Sequence, residues 1–113
     1  MSDDARKEIR REFRHWRLQL RSDKTVRDLA RMFNPIVQGW INYYGRYYPS
    51  MLMYTLRPLN EYLVRWAQRK YKRLRGHEAR ARDFVATVAR REPDLFAHWR
   101  IGVRPDGWVM GAR

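Results

Sequence analysis

Cysteine is absent from the 113-residue sequence. Its absence excludes disulfide bonds, zinc sites with thiolate ligands and cysteine nucleophiles, and it suits a reducing compartment. Long hydrophobic runs are missing too, because the longest uncharged stretch, residues 32–45, is short and contains asparagine, glutamine, glycine and proline. The first eleven residues, MSDDARKEIRR, lack the apolar segment of a secretory signal. These features predict a cytoplasmic protein without a membrane partner.

Acidic residues are scarce, since 12 of them face 25 lysines and arginines and leave a net charge of +13. Only four of the basic residues are lysine. The guanidinium group of arginine is a planar fork that binds phosphate through two hydrogen bonds and also stacks on bases, so an acidic polymer is the expected partner. The chain is 44% hydrophobic, which is too rich for disorder, and its length suits a single domain over residues 1–113.

Constellations of catalytic or metal-binding residues are lacking as well. The three histidines have no partner at the spacing of metal ligands, and no glycine-rich phosphate-binding loop occurs. Most carboxylates stand at predicted helix starts or beside arginines, where capping and ion pairing account for them. We therefore expect no catalytic residue, no metal and no cofactor. A metal nuclease built on Glu78, Asp83 or Asp94 is the weakest alternative.

The spacing of apolar residues predicts an all-α bundle of about five helices. A first helix over residues 3–20 carries its arginines on one flank of an apolar stripe. Thr25 begins a capping box, so a second helix is expected over residues 26–33. Asn34 followed by Pro35 is typical of the start of a third helix. The stripe of the first helix consists of Ile9, Phe13, Trp16 and Leu20.

A fourth helix is predicted from Ser50 to residue 75, with either a kink or a break into a short and a longer helix at Pro58. A fifth helix is predicted over Glu78–Arg91, because the residue before a proline disfavours helical geometry and Pro93 follows. Residues 94–113 form a tail of different character. Its weak alternation around a Pro-Asp-Gly turn allows a short hairpin of residues 100–103 and 107–110.

Residues 34–48, NPIVQGWINYYGRYY, contain five aromatic side chains and one charge. A helical wheel places four apolar residues toward the core. They are Ile36, Trp40, Tyr44 and Tyr47. We interpret Trp40 and Tyr44 as core residues, together with Leu63 and Trp66 of the fourth helix. For Tyr43 and Tyr48, a position at the edge of the core and a position on a surface where bases stack are equally compatible with the pattern.

Basic side chains cluster on the first and fourth predicted helices, and uncharged aromatic and amide groups lie between them. This combination is typical of nucleic-acid-binding surfaces. Signatures of helix-turn-helix, zinc-finger and RNA-recognition domains are absent, so recognition of RNA shape through phosphates and 2′-hydroxyls fits better than reading of base sequence. The predicted contacts are Arg10, Arg14, Arg17, Asn42, Tyr43, Arg46, Arg65, Arg69, Lys70, Lys72 and Arg73.

Residues 29–74 contain an ordered series of motifs: asparagine-proline, glycine-tryptophan, asparagine-tyrosine and then a basic helix with a tryptophan. This series resembles the maturase-specific segment, domain X, of group II intron reverse transcriptase/maturases. The matching positions are Asn34, Pro35, Gly39, Trp40, Asn42, Tyr43 and Tyr44, followed by Leu63, Arg65, Trp66, Lys70, Tyr71 and Lys72.

The resemblance implies a helical thumb that follows a polymerase palm, grips structured group II intron RNA and helps the ribozyme fold for splicing. The splicing chemistry then belongs to the RNA and its magnesium ions. The sequence shows no fingers or palm, so the leading hypothesis is an RNA-binding maturase domain that is not an enzyme. One alternative is a relic thumb that holds DNA or RNA–DNA duplex. Another is a protein-interaction module that docks on a separately encoded reverse transcriptase palm.

Overall fold

Helices build the fold over residues 1–105, which are the residues that the computed structural model describes. No strand occurs among them, which confirms the all-α prediction. The second arm of the expected hairpin lies outside the described residues, and its first arm forms the end of a helix and a turn. The α-helices are α1 (Asp3–Trp16), α2 (Val26–Tyr44), α3 (Pro49–Leu56), α4 (Pro58–Lys70), α5 (Glu78–Arg91) and α6 (Ala97–Arg100), with short 3-10 helices at Leu18–Leu20 and Lys72–Leu74.

Helix α1 ends four residues earlier than the apolar spacing predicts. Arg17 adopts a left-handed conformation with φ 51° and ψ 42°, which ends the helix, and its N–H donates to the carbonyl of Arg14. The chain then turns through Leu18–Leu20, so that Leu18 is buried while Leu20 is 45% exposed. The prediction that Leu20 faces the core is therefore wrong, because the helical stripe stops before it.

Helix α2 is continuous through Asn34 and Pro35, so the prediction of two helices separated at this point is wrong. The capping box is confirmed, with the Thr25 hydroxyl accepting from the Asp28 N–H and the Asp28 carboxylate accepting from the Thr25 N–H. Pro35 removes one backbone hydrogen bond from the helix interior. The helix continues because Phe33 and Val37, on either side of the proline, are both buried in the core.

Asn34 does not cap a helix but joins α2 to the segment that leads into α6. Its Nδ2 donates to the carbonyl of Leu95 at 2.8 Å, and its Oδ1 accepts from the N–H of Ala97 at 2.9 Å. The nitrogen and the oxygen of one side-chain amide thus form hydrogen bonds with backbone groups more than sixty residues away in sequence. This asparagine holds α6 against the bundle.

Replacing Asn34 with alanine is expected to lower the free energy of unfolding by about 1–3 kcal/mol, because two partly buried backbone groups lose their partners. Urea denaturation followed by circular dichroism measures the change. Asn42→Ala is the matched control, since the Asn42 amide is exposed and its oxygen accepts only from Gln38. Equal stability losses in the two variants would contradict the bridging role.

Pro58 separates α3 from α4, which confirms the predicted alternative of a break into a short and a longer helix. Helix α3 begins at Pro49 with no side-chain cap, so Ser50 does not start it as predicted. Helix α4 ends at Lys70, and the chain continues through the 3-10 helix to Gly76, whose φ of 72° suits glycine. The bounds predicted for α5 are confirmed.

Aromatic rings from α1 and α2 form one end of the core. Trp16 stacks on Phe33 with ring centroids 4.4 Å apart and on Trp40 with centroids 5.7 Å apart. Ile36 and Tyr47, predicted to face inward with them, are exposed. Ile36 lies at the edge of the buried stripe, and Tyr47 lies beyond the end of α2, where the helical period no longer applies.

None of the helices within residues 1–105 combines the length and the hydrophobicity that a bilayer crossing requires.

Candidate nucleic-acid interface

The segment that connects α1 to α2 is fastened to α4 by two side chains. Trp66 Nε1 donates to the carbonyl of Arg21 at 2.9 Å, and Lys70 Nζ donates to the carbonyl of Ser22 at 3.1 Å. Leu18 anchors the same connection from within the core, since it is only 2% exposed. Residues 18–22 are therefore held in a fixed position beside the exposed side of α4.

A groove lies between this connection and α4, with a volume of about 610 Å³. Arg65 and Arg69 project from α4 into it, and Arg75 closes one end, where its Nη2 donates to the Arg69 carbonyl at 3.4 Å. None of the lining side chains is a carboxylate. We call this the basic groove, and it is lined by Gln19, Leu20, Ser22, Arg65, Gln68, Arg69, Arg75 and Gly76.

A second groove of about 390 Å³ lies near the start of α4. Along α4, the residues that line the two grooves follow one another at helical spacing, so the grooves lie on one face of the helix. Arg10 of α1 contributes to the second groove, which places one basic residue of α1 against the same helix. We call it the Arg10 groove, and it is lined by Arg10, Tyr54, Arg57, Pro58 and Glu61.

Glu61 is the one carboxylate in the two grooves, and a cation from outside them binds it. Arg82 of α5 donates from Nη1 and Nη2 to the two oxygens of Glu61, at 2.9 and 2.8 Å. These hydrogen bonds, with a smaller contribution from Glu78, raise the pKa of Arg82 above its ordinary value. Glu61 thus pairs with Arg82 on the α5 side, and within residues 1–105 it forms no ion pair with Arg10 or Arg57.

The basic residues of the predicted contact set keep their charge available. Within residues 1–105, the ion pairs join carboxylates to six other basic side chains, and none of the nine lysines and arginines of the set takes part. An unpaired guanidinium retains all its donors for phosphate. The six paired cations are Arg6, Arg11, Lys24, Arg27, Arg31 and Arg82.

The remaining basic residues near the basic groove differ in their exposure and in the element that carries them. Arg14 and Arg17 are exposed at the end of α1, directly before the groove wall. Lys72 and Arg73 are exposed on the 3-10 helix after α4 rather than on α4 itself. Lys70 is half-buried, and its ammonium lies 5.9 Å from the ring centroid of Trp66. It therefore stabilises the contact between α4 and residues 18–22 as well as carrying charge.

The other members of the set lie at the C-terminal end of α2. Tyr43 is 74% exposed, the Asn42 side chain accepts from Gln38, and the Arg46 guanidinium lies 5.8 Å from the ring centroid of Tyr47. Of the four predicted core residues, Leu63 and Trp66 are buried on α4. Trp40 and Tyr44 are partly buried and pack against the core.

Sequence patterns alone did not identify Arg57, Arg75 and the residues of the groove wall as parts of these sites. The predicted fourth helix contained Arg57 and Arg75, but α4 runs only from Pro58 to Lys70, so the wheel of the longer helix does not give the positions of these two arginines relative to Arg65 and Arg69. Residues 18–22 form one side of the basic groove because the chain reverses at Arg17. A left-handed arginine has no sequence signal of the kind that glycine would give.

Metal ligands are not gathered anywhere in the described part of the chain, where no group of three histidine or carboxylate side chains is placed to hold an ion. Comparison with curated proteins and with solved structures gave no match. The family model described as group II intron, maturase-specific domain matches residues 6–84, which include most of α1, all of α2 to α4 and all the residues that line the two grooves. Because this match covers well over half of the sequence, the chain belongs to the family of group II intron maturase-specific domains.

Proposed function

We propose that this maturase-specific domain binds structured group II intron RNA through the basic groove and assists splicing without catalysing it. The observation that carries the proposal is the convergence of Arg65, Arg69 and Arg75 in one groove without a carboxylate. Guanidinium groups bind phosphate oxygens through paired hydrogen bonds. The exposed hydroxyl group of Ser22, on the opposite side of the groove, suits a contact to a ribose hydroxyl.

The dimensions of the interface favour recognition of a folded RNA surface over reading of a base sequence. The basic groove has a volume within the range of about 300–1,000 Å³ that ligand sites occupy, so it accommodates a nucleotide's sugar and phosphate. The Arg10 groove continues along the same face of α4 and presents two further arginines. Contacts distributed along a helix in this way suit successive phosphates of an RNA backbone.

Replacing Arg65, Arg69 and Arg75 together with alanine is expected to weaken binding to group II intron RNA and to flatten its dependence on salt. If the wild-type protein contacts about six phosphates, its affinity falls about a thousandfold between 50 and 200 mM salt. With three contacts removed, we expect a fall of only a few tens of fold. Titrations at several salt concentrations measure both slopes, and circular dichroism checks that the helices persist.

The matched control replaces three exposed arginines of α5, Arg80, Arg90 and Arg91, and so changes the net charge equally. Its salt dependence should stay close to that of the wild-type protein. If the two triple variants lose affinity equally, attraction by overall charge explains binding and the basic groove is not the interface.

Duplex binding by a thumb-like domain would use the same groove, so a competition experiment is needed to separate it from maturase function. We expect a folded group II intron RNA to displace the protein from an RNA–DNA duplex of equal length and charge. Chemical footprinting should then show protection confined to one structured element of the intron. Equal competition by the plain duplex would favour the general duplex-binding alternative.

A further inference from the structure

Exposed apolar side chains are concentrated in one short part of the fold. Seven large apolar residues are exposed within residues 1–105, and five of them lie between residues 43 and 54. Tyr47 is 71% exposed and Tyr54 52%, while the opposite face of α3 is buried in the core. We call these five residues the tyrosine patch, and they are Tyr43, Tyr47, Tyr48, Met51 and Tyr54.

Arginines flank the tyrosine patch, and carboxylates are absent from this stretch of the sequence. No aspartate or glutamate occurs between Asp28 and Glu61. The Arg57 guanidinium lies 5.9 Å from the ring centroid of Tyr54, and Arg46 is paired with Tyr47 in the same way. Neither arginine forms an ion pair within the described residues. The patch therefore combines exposed rings with two arginines that form no ion pair within the described residues.

We propose that the tyrosine patch binds unpaired nucleotides of the RNA, with bases stacking on Tyr47 and Tyr54 and phosphates bound by Arg46 and Arg57. This inference rests on the proposed function and adds the class of RNA element that this surface takes. Aromatic rings beside cationic side chains form the surfaces on which proteins bind single-stranded nucleic acid. Loops and bulges of folded RNA expose the unstacked bases that such a surface requires.

Charge favours RNA over a protein as the occupant of the patch. A protein partner would have to supply carboxylates for Arg46 and Arg57 or bury both cations without partners, which is costly. A nucleotide supplies a phosphate and a base together. Four of the five patch residues are tyrosines, whose hydroxyl groups keep the free surface compatible with water.

The tyrosine patch adjoins the surface that we propose for paired RNA. Tyr54 and Arg57 line the Arg10 groove, and this groove shares one face of α4 with the basic groove. An RNA in which a helix meets an unpaired segment would therefore contact both surfaces at once. The basic groove would hold the backbone of the helix, and the patch would hold the unpaired bases.

Two RNA hairpins that differ only in a single-stranded uridine extension test the proposal. The extension should strengthen binding to the wild-type protein. Changing Tyr47 and Tyr54 together to alanine should remove about tenfold or more of that gain, because stacking on a ring contributes roughly 5- to 150-fold per base. Tyr47→Ala alone, at a residue that lines neither groove, should reduce the gain and leave binding of the blunt hairpin unchanged. The matched variant Tyr47→Phe with Tyr54→Phe keeps both rings and should keep the gain.

If the alanine pair retains the whole gain from the extension, the proposal is overturned. It is also overturned if the alanine pair binds both hairpins like the wild-type protein and loses only self-association at high salt, since the patch is then a protein-docking surface. The blunt hairpin tests the proposed function separately. If it binds without a steep dependence on salt, the basic groove proposal fails, while the gain from unpaired RNA is still measured.

Discussion

Replacing Trp66 with alanine is expected to lower the free energy of unfolding by about 3–5 kcal/mol, which is the usual cost of truncating a large core side chain. Trp66 is only 1% exposed and lies on the buried face of α4. The substitution also removes the donor that holds the Arg21 carbonyl. We therefore expect loss of the fold and of RNA binding together, measured by urea denaturation and by titration with the RNA.

Trp66→Phe separates the two roles of this side chain. Phenylalanine keeps much of the ring in the core but cannot donate to Arg21, so the expected cost is about 1–3 kcal/mol. The folded variant should bind RNA more weakly than the wild-type protein, because residues 18–22 lose one of the two side-chain hydrogen bonds that hold them beside Arg65 and Arg69. If this variant binds RNA with unchanged affinity, the connection does not contribute to the interface.

Features that depend on local sequence were predicted correctly. The capping box at Thr25, the break at Pro58 and the bounds of α5 each follow from residues within a few positions of one another. Arg65 and Arg69 were grouped for the same reason, since both lie on one regular helix. Helical spacing is a reliable guide where the helix exists over its whole predicted length.

Errors arose where distant parts of the chain determine the local structure. Asn34 and Pro35 have the pattern of a helix start, but the Asn34 amide is used by backbone groups near α6 and the helix continues. The exposure of Tyr47 was missed because the wheel was extended past Gly45. Helix α2 ends there, and a Cβ at Gly45 would approach the Ile41 carbonyl oxygen to 2.5 Å.

The sequence predicted which types of residue form the candidate site, but it did not predict where in the fold they form a surface. A net charge of +13 and the sorting of arginines indicate a polyanion as the partner. The position of the groove depends on the reversal of the chain at Arg17 and on two side-chain contacts to backbone carbonyls. Such contacts between distant residues leave no periodic pattern in a single sequence.

A buried polar cluster joins α4 to the C-terminal segment and fixes the tautomer of His98. Asn60 Oδ1 accepts from Trp99 Nε1 at 2.9 Å, and this indole nitrogen is always a donor. The same oxygen lies 2.8 Å from His98 Nε2, so His98 must also donate from Nε2. The Asn60 amide nitrogen donates to the carbonyl of Val103. None of the hydrogen-bond partners of His98 in this cluster is a carboxylate that would stabilise a charged ring.

Burial lowers the pKa of His98 from 6.5 to about 3. Below pH 6.5 the unfolded chain therefore takes up a proton that the folded protein does not. The free energy of unfolding is fully retained above pH 6.5 and should fall by about 1.4 kcal/mol for each pH unit below it, until the pH approaches 3. At about pH 4.5 we expect a loss of about 3 kcal/mol, measured by urea denaturation without RNA.

His98→Gln isolates this effect, because glutamine retains a donor toward Asn60 but does not titrate. The variant's free energy of unfolding should change less between pH 6.5 and about pH 4.5 than that of the wild-type protein.

Asp28 titrates at lower pH and does not interfere with this comparison. Its hydrogen bonds to Thr25 lower its pKa below 3.8, so its contribution to the free energy of unfolding is retained above that pH and lost only below it. Parallel losses in wild-type protein and variant above pH 4.5 would show that His98 takes up a proton in the folded state. The core would then have to admit water or a counter-charge beside Asn60, contrary to the buried cluster described above.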